Sequence, residues 1–147
     1  IRVPMIARWP GLIAPGSESD KVWAYWDFLA PAADLAGVET PSDSDGISVV
    51  PSLLGKEQKG HEYLYWEFFE RGFQQAVRHG DWKAIRLKQG QPLALYNLKL
   101  DPAEKNDVAR QHPAVVERIE TYLKTARSES EFWPEKRFRH RGPAAPG

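Results

Sequence analysis

Apolar and polar positions alternate along this chain with a period that changes from segment to segment. Val3 to Trp9 has the character of a strand, with Pro4 confining it to a strand start or an edge. Trp9-Pro10-Gly11 and Ala14-Pro15-Gly16-Ser17 then read as turns. From Asp27 to Ala36 the spacing becomes helical: Phe28, Leu29, Ala32, Ala33, Leu35 and Ala36 form the expected apolar face. Pro31 falls in the first turn of that helix, where a missing N–H costs little, and Gly37 supplies a C-terminal cap. Thr40 to Gly46 is a polar loop, Ile47 to Leu54 is apolar and stops at Gly55, and charged Lys56 to Gly60 marks a boundary.

Beyond that boundary the pattern is that of a sheet. Glu62 to Phe69 is dense in β-formers on both faces, as in a central strand. Gln75 to Arg78, a turn at His79-Gly80-Asp81, and Trp82 to Leu87 read as a hairpin. A turn at Gln89-Gly90-Gln91-Pro92 leads to a fourth strand, Leu93 to Leu98. Asp101-Pro102-Ala103-Glu104 is a further turn, and Asn106-Asp107 caps a short helical piece. A helix over 113–127 opens at Pro113, with His112 at its N-cap. Its apolar face is Val115, Val116, Ile119, Tyr122, Leu123 and Ala126, and Glu117, Arg118, Glu120 and Lys124 fill the other. Residues 134–147 are basic and then rich in Pro, Gly and Ala, and predict a disordered tail.

Composition narrows the function classes. The chain has 147 residues, 41% hydrophobic and 27% charged, the balance of an ordinary globular domain. Formal net charge is zero, which removes the long-range attraction that nucleic acid or an anionic membrane requires. There is no cysteine, hence no disulfide, thiolate metal site or cysteine nucleophile. No apolar run approaches the roughly 18 residues of a membrane span. The chain opens at Ile1 inside apparent strand sequence, so upstream sequence is expected to be missing.

Candidate chemistry is sparse. No two of His61, His79, His112 and His140 stand at metal-ligand spacing, and a loop, a turn, a helix N-terminus and the tail account for them. Asp43-Ser44-Asp45-Gly46 lacks the closing Glu of a calcium loop and reads as a helix-capping turn. Glu62, Glu67 and Glu70 suggest a glycosidase carboxylate pair, yet on one strand Glu67 faces away from the other two. Trp66, Arg71, Arg78 and Trp82 are able to stack on or clamp an anionic sugar, against the structural alternative of core tryptophans and an edge charge. A run of exposed rings would instead mark a non-catalytic carbohydrate-binding module.

Several stretches taken together resemble the C-terminal half of bacterial sulfatases of the alkaline-phosphatase-like superfamily. Ile1-Arg2-Val3-Pro4 and Arg8-Trp9-Pro10-Gly11 resemble the strand and turn that follow that family's glycine-rich lysine segment. Trp26-Asp27-Phe28-Leu29-Ala30-Pro31, continuing to Leu35-Ala36-Gly37, is similar to its D-x-x-P-T-x-x-x-x-A-G helix, with Ala32 where Thr is usual. Asp45-Gly46-Ile47-Ser48 with Pro51-Ser52-Leu53-Leu54-Gly55 is similar to D-G-x-S-x-x-P-x-L-x-G. Arg78-His79-Gly80-Asp81-Trp82-Lys83 resembles an R-x-G-x-W-K hairpin. Leu95-Tyr96-Asn97-Leu98 with Asp101-Pro102-Ala103-Glu104 resembles L-Y-D-L-x-x-D-P-x-E, with Asn97 in place of Asp.

The resemblance implies an α+β chain, the C-terminal segment of an α/β sulfatase fold. It would end in a roughly four-stranded antiparallel sheet packed against a C-terminal helix. Residues 1–59 would close the large α/β domain, 60–133 form the smaller subdomain, and 134–147 the tail. It also implies a calcium ion and a formylglycine nucleophile made in a C/S-x-P-x-R motif. This sequence has no such motif, so no catalytic or metal residue carries over to it. The expected partners are the missing N-terminal catalytic region and a sulfate ester, in keeping with a sulfated sugar, with no nucleic acid and no membrane. A related phosphoester hydrolase is the alternative the resemblance leaves open. Trp66, Glu67 and Arg71 are the candidate substrate contacts, and the resemblance implies a periplasmic or secreted protein. An unpaired edge at Val3–Trp9 is expected to pair with a second chain or to be disordered.

Overall fold

The computed structural model describes residues 3–69 and 72–132; Arg71 and the expected tail lie outside the described residues. The chain forms two compact units, Ile1–His61 and Glu62–Gly147.

In the first unit a 3-10 turn, Tyr25–Phe28, runs directly into helix α1, Leu29–Ala36. Gly37 stops it at φ 69°, a left-handed conformation that a Cβ disfavours. The Gly37 N–H then donates to Asp34 O at 3.2 Å and the Val38 N–H to Ala33 O at 3.0 Å, the paired closure of a Schellman cap. A short helix α2, Val50–Leu53, carries Pro51 in its first turn and ends the same way at Gly55.

Here the structure corrects two expectations. Val3 to Trp9 joins no ladder among the described residues, because a strand exists only where another strand answers its N–H and C=O groups. And α1 buries Ala30, Pro31 and Ala33, leaving Phe28, Leu29 and Leu35 exposed. Of the expected apolar face only Ala33 is buried, and the rest is turned outward.

The second unit is an antiparallel meander in the order β1-β2-β3-β4: β1 Leu64–Phe68, β2 Gln74–His79, β3 Trp82–Arg86 and β4 Ala94–Asn97. Gly80, at φ 56°, makes the two-residue turn that pairs His79 with Trp82. Within this meander β1 is an edge strand, where its composition predicts a central one. Consecutive hairpins leave the first strand with one neighbour, whatever its side chains.

Register explains the core. Tyr65, Val77, Ala84 and Leu95 stand opposite one another across all four strands and so share one face. Helix α3, Pro113–Leu123, lays Ile119 on that row, and Val77, Ala84 and Leu95 with Ile119 are sealed from water. Val115, Val116, Tyr122 and Leu123 complete the packing. The helix ends at Leu123, short of the expected Arg127.

Polar groups finish the unit. Asp107 Oδ1 accepts the N–H of Ala109 at 2.9 Å, opening a 3-10 turn over Ala109–Gln111. The same oxygen accepts the Leu95 N–H at 2.9 Å, tying that turn to β4. His112 precedes α3 without a side-chain cap bond, and its ring lies 4.6 Å from that of Trp82.

Replacing Ile119 by Ala removes the helix's one fully buried side chain and should destabilise the second unit by about 2–5 kcal/mol. Leu100→Ala, at a position 81% exposed, should change stability by no more than about 0.5 kcal/mol. Urea unfolding followed by circular dichroism checks both, and equal losses would refute this core.

Candidate functional site

Of the three candidate substrate contacts, the two that are described, Trp66 and Glu67, do not share a face. Trp66 and Glu67 are neighbours on β1, so their side chains leave opposite faces of the sheet. Trp66 stands in register with Ala76, Ile85 and Ala94 on the face away from the Val77–Leu95 core row. Arg71 lies outside the described residues.

Glu67 is bound into a polar chain at one end of the α3 side of the sheet. The Arg127 guanidinium approaches its carboxylate to 3.1 Å, and each of these two side chains is 13% exposed. The Tyr65 hydroxyl also donates to it. Gln75, opposite Glu67 in register, donates to the Tyr65 oxygen at 2.8 Å and accepts from Arg86 Nη1 at 2.8 Å. Arg86 in turn pairs with Glu120 of α3 at 2.5 Å and donates to Gln91 O at 2.8 Å. The network links three strands' worth of backbone to the helix and the segment after it. Burial first, and the Glu67 hydrogen bond second, push the Tyr65 phenol well above the ordinary range, against the opposing donation from Gln75.

In the first unit the ionisable group with the strongest claim to chemistry is Asp27, wholly buried. Its Oδ2 accepts the Ala24 N–H at 2.6 Å, while its Oδ1 accepts the Ile47 N–H at 3.0 Å and meets His61 Nε2 at 2.6 Å. Gly46, beside Ile47, lies so close to the Trp26 carbonyl that a Cβ there would sit 2.4 Å from its oxygen. One carboxylate thus gathers the W-D-F turn, the D-G-I-S loop and the last residue of the unit. His61, which the sequence accounts for as a loop residue, is the member of this cluster that sequence reasoning missed. The signal is faint, because its partner stands 34 positions away. The expected capping turn at Asp43 to Gly46 is not formed: the turn lies over Pro41–Ser44, closed by Ser44 N–H to Pro41 O at 3.0 Å, and it caps no helix, since α2 begins only at Val50.

The remaining motif pair meets in the second unit. Lys83, on the W-K strand, reaches both oxygens of Glu104 at 2.5 and 2.7 Å. Glu104 sits at φ 55°, a left-handed conformation costly for a side-chain-bearing residue, and this ion pair helps hold it there. The D-P-x-E turn is further pinned by Asp101 Oδ2, which accepts the N–H groups of Lys105 and Asn106, each at 2.8 Å. His79 Nδ1 lies 3.0 Å from Glu62 O, so that nitrogen carries the proton, and its ring stacks on Tyr63. His140 lies outside the described residues. Among the described residues no three His, Asp or Glu side chains gather as a metal site.

The class follows from the fold and its order of motifs: this is a C-terminal sulfatase portion of the alkaline-phosphatase-like superfamily. A solved 2-O GAG sulfatase is similar, with a TM-score of 0.56 and 28% identity over 65% of this chain and 22% of that one. Residues 1–129 match the family described as N-sulphoglucosamine sulphohydrolase, C-terminal, and the chain belongs to that family. An N-acetylgalactosamine-6-O-sulfatase of Bacteroides thetaiotaomicron is 29% identical over 86% of this chain and 27% of its own length. The steryl-sulfatase of Rattus norvegicus is 44% identical over 44% of this chain and 12% of its own length. The chain therefore spans about a quarter, or less, of these curated relatives.

Because folding favours the protonated Tyr65, its contribution to stability is intact below the unfolded phenol value of about 10 and is lost as pH rises above it. Phenolate absorbance should therefore show Tyr65 silent while the chain is native. Tyr65→Phe should titrate like the parent when folded and lack one phenol when both are unfolded in denaturant. A difference of one phenol in the native titrations would contradict this.

Proposed function

We propose that this chain is the C-terminal part of an enzyme that hydrolyses sulfate esters of sugars, and that it supplies scaffold and one wall of the substrate cleft. The observation that carries the reading is the family match over residues 1–129, borne by relatives named as sulfatases. The sugar substrate draws support from the N-acetylgalactosamine-6-O-sulfatase and from an ulvan-active sulfatase of Formosa agariphila that is 42% identical over 44% of this chain.

The chemistry of the ester supports a division of labour. Sulfate-ester hydrolysis needs an activated nucleophile and cations clustered on the transferring group. The acids described above are instead held in pairs that stabilise the fold: Asp27 with His61, Glu67 with Arg127, Glu104 with Lys83. We place the formylglycine and the calcium ion in the segment preceding this chain. Export to the periplasm or beyond belongs to the same proposal. Within the trio of candidate contacts, Trp66 is the one we place on the cleft wall, since it stands on the face of the sheet away from the core row.

The test is sulfate release by the longer polypeptide that carries this chain, with a 6-O-sulfated N-acetylhexosamine, an aryl sulfate and a phosphate ester as substrates. Turnover of the sulfated sugar by the longer polypeptide and none by the 147-residue chain is expected. Sulfate release by the 147-residue chain alone, or a preference for the phosphate ester, would overturn the reading.

A further inference from the structure

From Tyr25 to Ala36 the chain is apolar on the side it shows to water. Tyr25, Phe28, Leu29, Ala32, Leu35 and Ala36 recur at helical spacing, and every one is exposed. Tyr25 is 95% and Phe28 68% exposed. Of the two carboxylates in the segment, Asp27 is buried, and Asp34, exposed beside the stripe, accepts from Ser48 Oγ at 2.7 Å. The inner side is apolar as well, with Ala30, Pro31 and Ala33 buried. A helix with apolar side chains on both its inner and its outer side, Asp34 apart, suits a larger core better than open water. An uninterrupted apolar stripe of this kind marks an interface.

We propose that the stripe formed by Tyr25, Phe28, Leu29, Ala32, Leu35 and Ala36 seats against the α/β segment that precedes this chain in the same polypeptide. The inference rests on the proposed function and names the partner of its scaffold. Two observations select that occupant. The family matched is a C-terminal region, and a relative similar over 86% of this chain is more than three times as long, this chain covering 27% of it. The stripe also carries no charge with which to choose a polar or ionic partner, so burial in a common core is what its chemistry suits. Once seated, the helix would hold Asp27 and the loops it gathers against the enzyme's larger domain.

Hydroxyl-radical footprinting of the longer polypeptide and of the 147-residue chain, at several concentrations, tests this. Phe73, 7% exposed, serves as the buried reference in both. Labelling of Tyr25 and Phe28 should fall roughly tenfold in the longer polypeptide, independent of concentration, as rings pass from open water to a sealed interface. Undiminished labelling there overturns the proposal. Protection already present in the 147-residue chain overturns it too, giving the stripe to a second copy if it depends on concentration and to the chain's own second unit if it does not. If the reference itself is labelled in the shorter chain, protection in the longer polypeptide decides alone. Because the readout is contact and not turnover, it stands or falls separately from sulfatase activity.

Discussion

A carboxylate taken wholly out of water must find donors for its lone pairs or lose its charge, and the first unit is arranged around one that has found them. Asp27 accepts from Ala24 and Ile47 and meets His61, so three separate stretches are held by a single group. Ser48 Oγ adds a bond to Asp34 at 2.7 Å and Ser52 N–H one to Gln58 Oε1 at 3.2 Å, but apolar support is slight. The helices are short, Val49 is the only buried large aliphatic side chain among the unit's described residues, and Gly46 is needed merely to let the backbone pass the Trp26 carbonyl. The same constraint recurs in the second unit on a hydrophobic base. There α3 and the sheet seal an aliphatic core, and Lys83–Glu104 and Glu67–Arg127 fasten its margins.

This has a bearing on how motifs are read. W-D-F and D-G-I-S are distant in sequence, yet Asp27 of one accepts the backbone of the other. W-K and D-P-A-E are likewise joined by Lys83 and Glu104. Residue types that suggest chemistry are in this chain mutual partners. A buried pair of this sort adds little net stability over an apolar replacement, but removing one member strands the other, which couples the two motifs. That coupling is consistent with a chain whose family is defined by sulfatases and whose own acids serve the fold.

Much of the architecture was legible. Runs of β-forming residues and turn chemistry locate all four strands, and the Gly80 turn fixes the central hairpin. The capped helix before Gly37 and the Pro113 helix are equally plain. What failed did so for reasons of tertiary context. Strand content at Val3–Trp9 predicts only a willingness to pair, and pairing needs a neighbour. The α1 face was misjudged because both of its sides are apolar, so periodicity could not say which one turns inward. The edge position of β1 is a property of chain order, invisible to side-chain counts. The polar network was the least legible part: Arg127 and Glu67 lie 60 positions apart, and no local spacing announces them.

The most direct measurement on the central claim is amide hydrogen exchange in Asp27→Ala. The Ala24 and Ile47 amides, both bonded to that carboxylate, should lose protection together by roughly a hundredfold, the equivalent of about 3 kcal/mol for stranding buried donors. The Leu95 amide in the second unit should keep its own. Loss confined to Ala24, with Ile47 as protected as before, would show that Asp27 only caps its own turn and that something else holds the first unit together.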